Sequence, residues 1–207
     1  MSGTGNPHVT TEIFLVRHGE TAWSKSGQHT GRTDLPLTDN GERRALELGS
    51  RLRGAVFGRV LTSPLMRAVR TCELAGFGKA ARIDEDLREW DYGDYEGLRS
   101  GEIHALRPGW NIFRNGCPGG ESPEQAMARA DRVIGRIRGI GGTVAVFTHG
   151  HFGRMLAVRW LGLEAEFGQH LELDPATLSV LGFDPGYPLI PVISLWNEGA
   201  AARGGPT

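Results

Sequence analysis

The sequence predicts an α/β fold with three layers, α/β/α, around a mostly parallel central sheet. Short apolar runs alternate with segments of helical apolar period, the pattern of strands joined by crossover helices. Each of the clearest apolar runs stops at a polar segment rich in Gly, Ser or His, as a buried strand does at the sheet edge. A chain of 207 residues can bury roughly 70% of its unfolded surface, so no disulfide or metal staple is needed. Without a linker or internal repeat, residues 1–207 are expected to form one domain, with loose tails at 1–11 and 199–207.

Ile13 to Val16 is the first strand, stopped by Arg17-His18-Gly19. Residues 24–40, rich in Ser, Gly, Thr, Asp and Pro, read as a long loop. Thr38-Asp39-Asn40-Gly41-Glu42 is a helix start, and Ala45, Leu48, Leu52 and Val56 recur at helical spacing behind it. Val60-Leu61-Thr62 is a second strand, ended by Ser63-Pro64, and a helix follows from about 65 to 75. Ile83 to Leu87 is irregular or a short strand. Residues 88–122 are polar and Gly-rich, too long for an idle connector. Pro123 to Arg138 is an amphipathic helix with Pro in its first turn. Thr143 to Thr148 is the clearest buried strand, followed by His149-Gly150-His151 and a helix to about Leu161. Leu178 to Phe183 and Leu189 to Trp196 complete the set as a hairpin around Asp184-Pro185-Gly186.

Composition narrows the function. A formal net charge of −1 is not the footprint of a general nucleic-acid binder or of a polybasic membrane-surface protein. No apolar run reaches the length of a membrane span, and residues 1–11 lack the apolar core of a signal peptide. The expectation is a cytoplasmic protein with no nucleic-acid or membrane partner. Cys72 and Cys117 are far apart and in no CxxC pair, so both are read as free, small buried apolar residues.

The chemistry-bearing residues share a position. The segments at 17–19 and 149–151 both begin where a predicted strand ends, and Arg67 opens the helix after another strand. In α/β sheets, sites form outside the carboxyl ends of strands. Two guanidiniums and two imidazoles there make a pocket for a phosphate dianion, since Arg matches phosphate oxygens with a planar, always-charged fork. A neutral imidazole can attack phosphorus, and a nearby carboxylic acid can protonate the leaving oxygen. Residue by residue, plainer readings compete. His18 could be a core histidine, His149-Gly150-His151 a metal-ligand pair, Glu89 one solvated charge among Asp84, Glu85, Asp86, Asp91 and Asp94, and Glu20 a structural carboxylate. Trp23, Trp90 and Trp110 read as packing residues, and His29, His104 and His170 as bland ones.

The segments together resemble a known family. Leu15-Val16-Arg17-His18-Gly19-Glu20-Thr21 resembles the signature of the histidine phosphatase superfamily, the phosphoglycerate-mutase-like fold. Thr62 to Ala68, Leu87 to Gly93 and Thr148 to His151 resemble its second arginine, acid and second histidine segments, in the family's order. The resemblance covers about residues 12–195. It implies that His18 is the nucleophile and becomes a phosphohistidine. It implies that Arg17, Arg67 and His149 hold the non-bridging oxygens and that Glu89 donates, then accepts, the proton. Ser24, Thr30 and Gly31 match the loop that lines the substrate side, and Gly150 and His151 are expected as further substrate contacts. No metal and no cofactor are implied. The partner is a small phosphorylated metabolite, and a homo-oligomer is compatible with this reading.

Within the superfamily, the chain departs from cofactor-dependent phosphoglycerate mutases. The stretch Gly97 to Glu121 is short and has no adjacent arginine pair, and Ser24 and His151 stand where mutases carry Asn. Residues Trp23 to Gly31, Leu87 to Gly97 and Trp110 to Glu121 resemble the sedoheptulose-1,7-bisphosphatase branch and its bacterial acid-phosphatase relatives. The expected activity is phosphomonoester hydrolysis, on a sugar bisphosphate such as sedoheptulose 1,7-bisphosphate. A broad-specificity acid phosphatase, a phosphoglycerate mutase and a non-catalytic phosphate-binding relative follow in that order. A distal phosphate would need another cation, Lys25, Arg114 or Arg154. Activity on the acidic side of neutrality is expected if Glu89 starts protonated.

Overall fold

The computed structural model describes residues 11–199. The tails expected at 1–11 and 199–207 lie outside the described residues except at their inner limits. There the expectation is corrected: Thr11 is buried, and the Gly199 carbonyl accepts a hydrogen bond from Arg44.

Six strands form one sheet: β1 (Glu12–Arg17), β2 (Arg59–Thr62), β3 (Ala81–Ile83), β4 (Thr143–Thr148), β5 (Leu178–Phe183) and β6 (Pro191–Glu198). Their order is β3-β2-β4-β1-β5-β6. The pairs β2–β3, β2–β4 and β1–β4 are parallel, and β5 runs antiparallel to both of its neighbours. The central strand β4 is apolar on both faces because helices cover both. On one face Leu15, Leu61, Val144 and Val146 pack against α6 (Pro123–Ile140) and α7 (Gly150–Trp160). On the other, Val16, Val60, Ala145 and Phe147 pack against Leu48 of α2 (Asp39–Arg51) and Cys72 of α3 (Met66–Leu74). Both cysteines are free and buried, and burial pushes each thiol up to about 12.

The predicted helices form where their caps allow. Thr38 accepts from the Gly41 N–H and starts α2. Ser122 and Gln125 form a reciprocal capping box, with Pro123 in the first turn of α6. Val56 does not continue the α2 face: the helix ends at Arg51, and Val56 is exposed. The second hairpin strand starts at Pro191 rather than Leu189. The Asp184 carboxylate accepts from the Gly186 and Tyr187 N–H groups and holds a turn that leaves Leu189 exposed.

The expected loops are more ordered than their composition indicates. The 24–40 stretch follows a first turn already within α1 (Ala22–Ser26), closed by a Thr21–Ser24 capping box. The 88–122 stretch contains α4 (Ser100–Leu106), α5 (Ile112–Asn115) and a 3-10 turn at Gly93–Tyr95. Residues 83–87 split into the end of β3 and a 3-10 turn at Glu85–Leu87. Such short helices are marginal alone and show no full amphipathic period. Burial of Tyr95, Ile103, Trp110, Ile112 and Phe113 in the core stabilises them.

This topology locates the site. After β1 the chain turns into α2 on one face of the sheet, and after the adjacent β4 it turns into α7 on the other. Neighbouring parallel strands whose connections leave to opposite faces open a crevice at their carboxyl ends. His18 and His149 both stand there.

Candidate active site

His18 follows the last residue of β1. Its N–H donates to the Thr148 carbonyl at 2.9 Å, and its own carbonyl accepts from Ala176 N–H at 3.0 Å. The ring Nδ1 lies 2.7 Å from the Gly19 carbonyl. A carbonyl can only accept, so the neutral ring carries its hydrogen on Nδ1 and leaves the Nε2 lone pair free. Gly19 admits no side chain, because a Cβ would stand 2.6 Å from the Gly41 oxygen. Burial, then the charges of Arg67 and Arg17, hold the His18 imidazole well below its ordinary range. Its neutral form, with the Nε2 lone pair free, therefore persists into acid.

Arg17 lines the same crevice. One Nη donates to the Leu173 carbonyl, while Nε is buried and has no partner among the described residues. A buried donor without a partner costs about 1–3 kcal/mol, and an anion in the crevice would satisfy it. The guanidinium lies against Gly150, where a Cβ would approach Cζ to 3.2 Å.

Arg67 is wholly buried in the first turn of α3. Nε donates to His149 Nδ1 at 3.2 Å, Nη1 to the Thr33 carbonyl at 2.9 Å, and Nη2 to the carbonyls of Thr30 and Gly31 at 3.0 Å each. Arg67 thus fastens the 30–33 loop and orients His149. Since His149 Nδ1 accepts, Nε2 carries the hydrogen and donates to Ser63 Oγ at 2.7 Å. The His18 and His149 rings are 5.1 Å apart, edge to face. Contact between His149 and a phosphoryl oxygen would require exchange of the Ser63 bond.

The Glu89 carboxylate accepts from three backbone donors: Trp90 at 2.9 Å, Phe152 at 2.8 Å and His151 at 3.1 Å. Two of these belong to the first turn of α7, so the carboxylate complements the positive end of that helix. Arg129 steadies the Glu89 segment from behind. It grips Glu121 through two hydrogen bonds, at 2.8 and 2.7 Å, and donates to the carbonyls of Asp86 and Arg88 at 2.8 and 2.6 Å.

The cleft in front of these groups holds about 200 Å³. Arg17, His18, Glu89, Ser24, Thr30, Gly150 and His151 line it. Arg67 and His149 stand behind its wall, and Gly31 faces away: its N–H donates to the Glu96 carboxylate and its carbonyl accepts from Arg67. Ser24 faces the cleft while its hydroxyl is tied to Thr21. Among the lining residues that the sequence analysis did not assign to the site, two bear directly on its chemistry. His29, read as bland, is buried in the cleft wall, and Tyr92 bonds His151 at 2.6 Å. Their proximity to Thr30 and to Glu89 in the chain was the available signal. Trp90 and Trp110 are core residues, as expected. The two rings of His149-Gly150-His151 take separate partners, Ser63 and Arg67 for one and Tyr92 for the other. Among the described residues, no three His, Cys, Asp or Glu side chains converge as metal ligands.

Burial of neutral imidazoles makes stability depend on pH. His18, His149 and His151 are all held well below their ordinary range, by burial first. Below pH ~6.5 the unfolded chain binds protons that the folded chain refuses, so stability is full above that pH and falls as pH drops toward the depressed native values. Each such histidine contributes a slope of roughly 1.4 kcal/mol per pH unit. Denaturant unfolding at stepped pH should show this loss, and a flat profile from pH ~6.5 to ~5 would contradict the buried neutral state.

The sequence profile of the histidine phosphatase superfamily (branch 1) matches residues 13–198. The chain belongs to the histidine phosphatase superfamily. This histidine phosphatase is 41% identical over 189 residues to sedoheptulose 1,7-bisphosphatase of Saccharomyces cerevisiae, covering 76% of this chain and 70% of the yeast one. It is 37% identical over 188 residues to an acid phosphatase of Mycobacterium tuberculosis, covering 88% and 92%. A solved structure of an M. tuberculosis open reading frame superposes with a TM-score of 0.83 at 36% identity, covering 90% of this chain and 98% of that one. The phosphatase fold is thus the mixed, mostly parallel α/β arrangement the sequence predicts. Among the described residues, no helix is long and apolar enough to cross a membrane.

Proposed function

We propose that the protein is a phosphomonoester hydrolase working through a phosphohistidine at His18, on a sugar bisphosphate such as sedoheptulose 1,7-bisphosphate. The observation that carries this reading is the pairing of a neutral His18, with Nε2 free, and the Arg17 guanidinium in one cleft. His18 Nε2 attacks phosphorus, the N–P bond forms and the bond to the leaving oxygen breaks. Glu89, protonated for this step, gives that oxygen its proton. It then takes a proton from water, which attacks phosphorus and releases His18 and inorganic phosphate. Arg17, with Arg67 and His149 behind it, stabilises the charge on the non-bridging oxygens. Ser24, Thr30, Gly150 and His151 bound the space for the leaving group. No metal or cofactor enters this scheme, and the partner is a small phosphorylated metabolite.

Of the three cations considered for a distal phosphate, Arg154 lines the cleft. Arg114 is more than half exposed and lies against Glu166. Arg154 donates through Nε and Nη2 to the Gly168 carbonyl, at 2.8 and 2.5 Å, and lies 4.5 Å from the Phe113 ring centre. Burial lowers its pKa to about 10, which leaves it cationic at neutral pH. Broad acid-phosphatase activity is the second reading, favoured by the relative so named, which is matched over 92% of its length.

The test is phosphate release in EDTA from sedoheptulose 1,7-bisphosphate, fructose 1,6-bisphosphate, 3-phosphoglycerate and p-nitrophenyl phosphate. Preference for the bisphosphates is expected; even activity across the panel would favour the second reading. Release restored only by a divalent metal would overturn the mechanism. Arg154→Ala should raise KM for the bisphosphates about tenfold or more, the worth of one charge-assisted hydrogen bond. An equal rise for p-nitrophenyl phosphate would remove Arg154 from that role.

A further inference from the structure

Two imidazoles outside the phosphoryl centre share the cleft wall. The rings of His29 and His151 are stacked, 12° from parallel, with centres 5.8 Å apart. His29 Nδ1 lies 2.9 Å from the Leu98 carbonyl, so Nδ1 carries the hydrogen and Nε2 is left as an acceptor. His151 Nδ1 lies 2.6 Å from the Tyr92 hydroxyl. Tyr92 is buried and its hydroxyl has no other partner among the described residues, so donation to Nδ1 is the arrangement that satisfies its O–H. A neutral His151 then carries its hydrogen on Nε2 and is left as a donor. Burial disfavours the charged form of both rings. Neither Nε2 is bonded within the described protein, neither is sealed from solvent, and both residues line the cleft.

We propose that His29 and His151 form a donor–acceptor pair that reads a hydroxyl group on the leaving portion of the substrate. A hydroxyl can donate to His29 Nε2 or accept from His151 Nε2–H, and with the ring centres 5.8 Å apart both groups border the same stretch of the cleft. Tyr92 is a positioning residue: its O–H holds His151 in the donor tautomer. The substrate class selected is a phosphate ester of a polyol, over an alkyl or aryl ester of similar size. The proposal rests on the reading that this cleft receives a phosphate ester.

The experiment measures binding, so it does not depend on turnover. Glycerol 3-phosphate and propyl phosphate share their anion and differ by hydroxyls. Both would be titrated calorimetrically into the His18→Ala variant, alone and combined with His29→Phe, His29→Gln or Tyr92→Phe. The His18→Ala protein should bind the glycerol ester about tenfold more tightly, the value of one hydrogen bond of ~1.4 kcal/mol. His29→Phe should bring that ratio to within about twofold, and His29→Gln, which keeps an acceptor, should restore part of it. Tyr92→Phe should lower the ratio too, by freeing the tautomer. No preference in His18→Ala alone, a preference that survives His29→Phe, or equal loss of both esters would each overturn the proposal. Preference in binding with no hydrolysis by the unmodified enzyme would strike the phosphatase reading alone, and hydrolysis without preference would strike this one alone.

Discussion

His18→Ala is expected to lower the rate of phosphate release by a factor on the order of 10⁴–10⁶, as loss of a covalent nucleophile does elsewhere. His18 is the imidazole in the cleft whose Nδ1 is occupied by a backbone carbonyl of the next residue. That bond orients the ring and leaves the Nε2 lone pair free, as the proposed attack requires. His149 does not substitute for it, because both of its nitrogens are bonded, and His151 does not, because its Nδ1 accepts from Tyr92 and its Nε2 carries the hydrogen. The variant should still fold, because the backbone bonds of residue 18 do not depend on its side chain. Its thermal midpoint should rise or stay level at low pH, since a buried neutral histidine is removed. Mass spectrometry of rapidly quenched enzyme should find a phosphoryl adduct in the unmodified protein and none in the variant. Residual activity within tenfold of the unmodified enzyme would refute the nucleophile assignment.

Glu89→Gln has the second largest expected effect, a slowing on the order of 10²–10⁴, the usual worth of a general acid. The loss should be smallest for p-nitrophenyl phosphate, whose leaving group departs without a proton. Equal losses for that ester and for a sugar phosphate would remove Glu89 from the acid role. The structure adds a second consequence. The carboxylate also holds the first turn of α7 through the N–H groups of His151 and Phe152. Glutamine keeps one acceptor but sets an NH₂ group against backbone donors and removes charge from the helix end. A stability loss of about 1–2 kcal/mol should accompany the kinetic one. Denaturant unfolding separates the two, because the helix effect is common to all substrates whereas the proton effect depends on the leaving group.

Much of the scaffold was legible in local pattern. The apolar run Thr143 to Thr148 could be buried only between two layers of helices, and it is the central strand. Ser122, Pro123 and the following apolar period marked α6 to within two residues of its end. The break of each apolar run at Arg17-His18, at Ser63-Pro64 and at His149 placed those residues at one sheet edge. A parallel sheet brings the carboxyl ends of β1, β2 and β4 side by side. The short helices of the 88–122 segment were not legible, because their stability comes from side chains buried against distant strands rather than from their own period.

What the sequence by itself determined is therefore the family, the layers and the identity of the residues at the crevice. Which of those residues face the cleft was decided by tertiary structure alone. Arg67 read as a phosphate ligand, yet most of its donors fasten the 30–33 loop and His149. His29 read as bland, yet it stacks on a histidine more than a hundred residues away in the chain. Periodicity and capping act over a few residues and are written in neighbouring letters. The partner of a guanidinium or an imidazole is set by which loops the sheet topology brings within ~3 Å, a distance no local pattern encodes.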